Sequence, residues 1–221
     1  MPDWFTGLIF GKNTQIKRGK SQGYSAKMKE NFLIRQYRKS FEYISECRKF
    51  IYFITGIFFV FALIGFFVPV PVSIGEKILE IIRKIFMETE GMGNFELIRF
   101  IFLNNLQSSF FGMLLGILLW IPTLLFSMLN GYLLGFVASM SVDIEGFVSL
   151  WRIFPHGIFE LPAVFIALGM GLKIGSFIFQ KKKMKSLMDY TEKSFVTFVI
   201  VVIPLLIIAA IIEGSLIYAL R

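Results

Sequence analysis

Cysteine and histidine are nearly absent from these 221 residues, with one of each. The lone Cys47 excludes an internal disulfide, a cysteine-rich metal cluster and an iron–sulfur site, all of which need several thiols. The lone His156 excludes a multi-histidine zinc or haem site, because catalytic zinc takes about three protein ligands. Charge is scarce too: 17% of residues are charged and 56% hydrophobic, with a mean hydropathy of +0.70. Soluble domains carry about 25% charged and about 45–50% apolar residues, so a soluble enzyme domain is excluded.

What the chain does have is long apolar runs, several as long as the roughly 20 residues that span a bilayer. Its 23 Lys and Arg against 15 Asp and Glu give a formal charge of +8. In so apolar a chain that excess orients the spans and meets anionic lipid on the cytoplasmic side. No RNA- or DNA-binding motif accompanies it, so nucleic acid is not an expected partner.

Residues 1–25 show no sustained apolar period and read as a mobile tail. From Ala26 to Phe50, Phe32, Leu33, Tyr37, Phe41 and Ile44 recur at three- and four-residue steps among basic residues, the pattern of a basic amphipathic helix at the membrane. The first span is expected over Ile51 to Val68, ended by Pro69 and Pro71. With no cleavable signal visible, this run would serve as the uncleaved insertion signal. Ser73 and Glu76 have capping-box spacing, which predicts a short interfacial helix with Ile74, Ile78, Ile81, Ile82 and Ile85 on one face and Glu76, Lys77, Glu80, Arg83 and Lys84 in water. Gly91 and Gly93 would close it.

No charged residue stands between Arg99 and Asp143. As one helix that stretch would measure about 65 Å, against a hydrocarbon core about 30 Å thick, so it must be a hairpin of two spans. Pro122 places its turn around Trp120 to Thr123. Ile158 to Phe179 and Phe195 to Ala219 complete five spans. The N-terminal segment carries eleven basic residues and the Gln180 to Ser194 loop five, while the third-to-fourth loop carries only Arg152. The expected topology is N-terminus inside and C-terminus outside the plasma membrane.

Small residues recur four apart at Gly112 and Gly116, Gly131 and Gly135, and Gly171 and Gly175, a spacing that lets helix backbones approach closely. Structural packing is their plain reading, supporting a compact bundle on spans two, three and four. Polar groups in apolar runs each need a partner or a polar cavity: Asn104, Asn105 and Gln107 in the second span and Asn130 in the third. Glu213, late in the last span, reads as reaching the outer interface.

The densest constellation is Pro155-His156-Gly157-Ile158-Phe159-Glu160-Leu161-Pro162. Pro155 suits a first helical turn, and Pro162 deletes an amide bond to Ile158 and bends the fourth span. His156 and Glu160, four apart, share one helix face and could hydrogen-bond. The plain reading is a lock that holds a bent helix against the hairpin. The functional readings are a metal site, which would need Glu213, Asn104 or Asn130 as further ligands; an acid/base pair lacking a visible nucleophile; and a proton or ion relay.

At these residues the sequence resembles the stage II sporulation protein M family of integral membrane proteins. The matching stretches are Phe102-Leu103-Asn104-Asn105, Asn130 to Gly135, Pro155 to Ala163 and Gly169 to Gly175, in the family's order, over roughly Phe100 to Phe179. The resemblance implies a five-span membrane protein, in endospore formers a scaffold that recruits peptidoglycan-degrading partners during engulfment. It brings no catalytic residues, only His156 and Glu160 as motif positions.

The sequence therefore predicts an all-α polytopic bundle: residues 1–50 a basic cytoplasmic segment with an amphipathic helix, and 51–221 a five-span membrane domain. The expected function is a non-enzymatic scaffold for membrane or cytoplasmic partner proteins, with no cofactor or metal and with self-association left open. Its polar constellation is His156, Glu160, Asn104, Asn105 and Asn130, and its structural positions are Gly131, Gly135, Pro155, Gly157, Pro162, Gly171 and Gly175. The competing reading is a small transporter or membrane-embedded hydrolase using His156 and Glu160.

Overall fold

The computed structural model describes the backbone of residues 4–68, 72–118, 120–152 and 154–219, and their side chains from residue 32 on except 72, 74, 151, 152, 154–157 and 159. The chain divides into two units, Met1–Lys39 and Ser40–Arg221. Helix α1 is Trp4–Phe67, so the stretch that reads as a tail is helical from Trp4 on. In the first unit Phe32, Leu33, Ile34 and Tyr37 are exposed, and the Arg35 guanidinium lies 5.8 Å from the Phe32 ring centre.

The second unit continues with α2 (Val72–Thr89), α3 (Asn94–Leu114), α4 (Ile121–Glu145), α5 (Phe154–Gly175), α6 (Lys183–Thr197) and α7 (Ile203–Ala219). There is no strand among the described residues. Among the described residues, five segments are long and apolar enough to cross a membrane: Phe32–Phe67, Asn94–Leu118, Ile121–Glu145, Glu160–Phe179 and Lys183–Ala219. The charge-free stretch does fold into two of them. A 3-10 turn over Leu115–Leu118 and a positive φ of 72° at Trp120 reverse the chain, slightly earlier than expected. Pro122 then sits in the first turn of α4, where its missing N–H leaves no bond unmade.

The short helix after the first span is present as α2, with Glu76, Lys77, Glu80, Arg83 and Lys84 exposed. It opens at Val72, so Ser73 lies inside it and is not its cap, and residue 71 lies outside the described residues. Gly91, at φ 83°, ends it in a conformation that glycine adopts without strain. Gly93 does not close α2 but opens α3, its backbone N–H donating to Glu96 Oε2 at 3.0 Å.

The fourth span is the centre of the bundle. Two thirds of its apolar window (67%) is buried, against 17–33% in the others. One side of α5 packs Ala163, Ala167, Met170 and Ile174 against Cys47, Met113, Phe198, Val202 and Leu206. Leu168 and Leu172 pack with Ile54, and Leu161 and Phe165 with Phe58. Among the described residues of α1, Ser40, Tyr43, Cys47, Ile54, Phe58 and Gly65 are buried, whereas Phe41 of the expected amphipathic stripe stays exposed.

The glycine pairs set how closely the helices cross. A Cβ on Gly116 would overlap the Gly171 backbone, and one on Gly175 the Trp120 ring, so spans two and four meet backbone to backbone as the spacing implies. Gly131 and Gly135 do otherwise than expected: they face the first span, where a Cβ would strike the carbonyl oxygens of Phe58 and Ala62. Gly65 answers from α1, against the Tyr132 carbonyl. Ser127 supports the crossing of spans one and three, donating to Ile54 O at 3.4 Å, and Thr123 ties the third span to the second, donating to Gly112 O at 3.1 Å.

Between α6 and α7 the chain makes a π turn over Phe198–Val202. Pro204, the second residue of α7, has no N–H to give the Ile200 carbonyl, and the Ile203 N–H reaches back to Phe198 O.

Candidate functional site

Polar side chains from four helices meet around one cavity of about 390 Å³. Helix α3 supplies Asn104, Asn105 and Ser108, with Asn104 and Ser108 one turn apart on the same face. Helix α4 supplies Asn130 within the stripe Phe126, Leu133, Leu134 and Val137; α5 supplies Glu160 and Val164, again one turn apart; α7 supplies Glu213. The four-residue step of a helix therefore aims an apolar wall and a polar rim at the same space.

Glu160 is 6% exposed, and its Oε2 accepts a bond from Asn105 Nδ2 at 2.5 Å. Asn130 donates one side-chain N–H to Phe126 O on its own helix at 2.7 Å, so that bond is a local one and crosses to no other span. Of the residues singled out from sequence, Asn104, Asn105, Asn130 and Glu160 are brought together here. The side chains of Pro155, His156 and Gly157 lie outside the described residues, and with them the expected His156–Glu160 pairing. Glu160 also accepts from an amide on another span, that of Asn105 on α3.

Glu213, read in the sequence as reaching the outer interface and, for a metal site, as a further ligand beside Asn104 and Asn130, lines this cavity with both of them. The signal for it is in the sequence: a carboxyl in the last apolar run needs a polar destination. Ser108 joins the site without having been singled out, although it stands four residues after Asn104. Among the described residues no group of three or more His, Cys, Asp and Glu side chains is placed to hold a metal.

A second polar cluster lies where α1, α5 and α6 meet. The Tyr43 hydroxyl is 3.0 Å from Ser194 Oγ and donates to Tyr190 O at 3.2 Å. Lys173 Nζ sits 4.6 Å from the Tyr190 ring centre and 5.9 Å from that of Phe50, and aromatic faces attract a cation there. These contacts tie the end of the central span to its neighbours.

In comparison with known proteins, the family model described as Stage II sporulation protein M matches residues 51–216. No curated protein and no solved structure matches the chain.

Proposed function

The chain belongs to the stage II sporulation protein M family, and from that premise we propose that this multi-pass membrane protein is a non-enzymatic scaffold. On this reading it sits in the plasma membrane with its N-terminus inside, and organises partner proteins there. The supporting observation is the glycine-locked crossing of spans one with three and two with four. A carrier must let helices slide or rock to expose a site alternately to each side. Backbones in direct contact at Gly65, Gly116, Gly131, Gly135 and Gly171 resist such movement and suit a fixed platform. The basic residues near the first span and between the last two would hold the platform against anionic lipid.

Affinity purification of the full chain from native membranes, with mass spectrometry and metal analysis, tests this reading. A stoichiometric protein partner, retained in Glu160→Gln, is the expected result. Protein recovered without a partner, and carrying out a flux that Glu160→Gln abolishes, would overturn it. That second outcome belongs to the competing reading, a small transporter, which the polar cavity favours because buried carboxyls in a membrane mark substrate or ion paths.

A further inference from the structure

We propose that the lipid-facing side of α4 is a homodimer contact, in which Asn130 pairs with the same amide of a second copy of this chain near the middle of the bilayer. The inference goes beyond the scaffold reading and does not rest on it, since a platform and a transporter can each be dimeric.

Helix α4 has two sides. Thr123, Ser127, Gly131 and Gly135, at four-residue steps, are buried against the first and second spans. Elsewhere on the helix, Phe126, Leu129, Asn130, Leu133 and Val137 recur at steps of three and four, and Leu129, Asn130 and Leu133 are exposed. An exposed leucine in a span is at home among lipid tails, but an amide is not, because hydrocarbon offers no hydrogen bond. Asn130 stands near the middle of the uncharged stretch from Ile121 to Val142, away from both headgroup layers. One of its N–H groups goes to Phe126 O, and among the described residues the second N–H and Oδ1 have no partner. The amide borders the cavity of the candidate site, and no described group across that space bonds it.

The chemistry of the amide selects the occupant. A carboxamide carries donor and acceptor on one planar group, so two copies related by a two-fold axis satisfy each other, each N–H donating to the other's carbonyl. Copies inserted in the same orientation have parallel α4 helices, and a two-fold axis along the membrane normal sets the two amides opposite each other at one depth. Phe126 and Leu133, about one turn to either side of Asn130, supply apolar contact around the pair. One amide in a stripe of apolar residues at three- and four-residue steps is the pattern that fixes register in paired helices. Interhelical amide bonds also form inside membranes, where packing and hydrogen bonds replace the hydrophobic drive.

The full chain reconstituted in phosphatidylcholine liposomes tests this. Self-association is followed by energy transfer between labelled copies over a range of protein-to-lipid ratios. The wild type should dimerise, Asn130→Leu should weaken association roughly tenfold, and Asn130→Gln, which keeps an amide, should retain most of it. Disulfide cross-linking with copper phenanthroline gives a readout that leaves Asn130 in place. Leu129→Cys and Leu133→Cys should each yield a covalent dimer, whereas Val60→Cys, exposed on α1, should not, and the buried Cys47 keeps the background low. Association indifferent to Asn130→Leu, cross-linking no stronger at the α4 positions than at Val60→Cys, or cross-linking in native membranes only to a different protein would overturn the proposal. So would a monomer whose Asn130→Cys thiol reacts rapidly with a water-soluble maleimide, which would assign the amide to water in the cavity. Partner capture from native membranes is a separate readout, so failure here leaves the scaffold reading to its own test.

Discussion

Asn105 and Glu160 are 55 residues apart in the chain and hydrogen-bonded in the fold, the α3 amide donating to the α5 carboxyl. The bond joins the second span to the central one inside an apolar bundle, where a lost partner cannot be replaced by bulk water. Interhelical side-chain bonds in membrane proteins contribute about 0.6 kcal/mol on average and up to about 1.7. A double-mutant cycle with Asn105→Ala and Glu160→Ala, read by unfolding in detergent, should give a coupling near the upper end of that range, because Glu160 is buried. Additive single effects would show that the two side chains do not cooperate.

The glycines offer a comparison within one helix class. Gly135→Ala places a methyl group on the Ala62 carbonyl oxygen, and overpacking against a backbone atom costs about 1–3 kcal/mol. Gly56, on α1, has no atom of another helix among the described residues within 4 Å of the place an added methyl group would take. Gly56→Ala should stabilise the helix by about 0.5–1 kcal/mol, since alanine loses less backbone entropy. Opposite shifts in melting temperature are expected. Equal tolerance of both changes would mean that spans one and three are not in backbone contact.

How far the sequence reveals this fold depends on the range of the interaction. The spans follow from the length of apolar runs, and the hairpin from the absence of charge between Arg99 and Asp143, both properties of neighbouring residues. The polar members of the cavity are visible one by one, because Asn104, Asn105, Asn130 and Glu160 interrupt such runs. Their partners are not visible. An i, i+4 rule can only pair Glu160 with His156 on its own helix, while the Asn105 contact depends on which spans become neighbours. The same limit hides the contact of Tyr43 with Ser194, 151 residues apart. It also hides the partner of Gly131 and Gly135, whose spacing announces a close crossing without saying that span one makes it.

Cys47 is fully buried beside Tyr43 and the central span, which makes the single thiol a reporter of opening. A maleimide should modify it roughly 100-fold or more slowly in the native protein than in denaturing detergent, because the thiol reacts only in opened states. Gly135→Ala should speed the native reaction, whereas Gly56→Ala should not. Fast labelling of the folded wild-type protein would contradict the packing of α1 on α5.

Trp120 sets two effects against each other. Its φ of 72° lies in the left-handed region, which costs a non-glycine residue about 1–3 kcal/mol. Its ring packs on Phe179 at 5.2 Å between centres and closes against Gly175. Removing a large aromatic costs about 3–5 kcal/mol, so Trp120→Gly should destabilise despite relieving the backbone. Its indole Nε1 is buried with no hydrogen-bond partner among the described residues, a penalty of about 1–3 kcal/mol. Trp120→Phe removes that donor and keeps an aromatic against Phe179, at the loss of about 1 kcal/mol of contact from the smaller ring. The phenylalanine variant should therefore unfold at or slightly above the wild-type midpoint, and the glycine variant clearly below it. If the order is reversed in detergent unfolding, backbone strain outweighs ring packing at this turn.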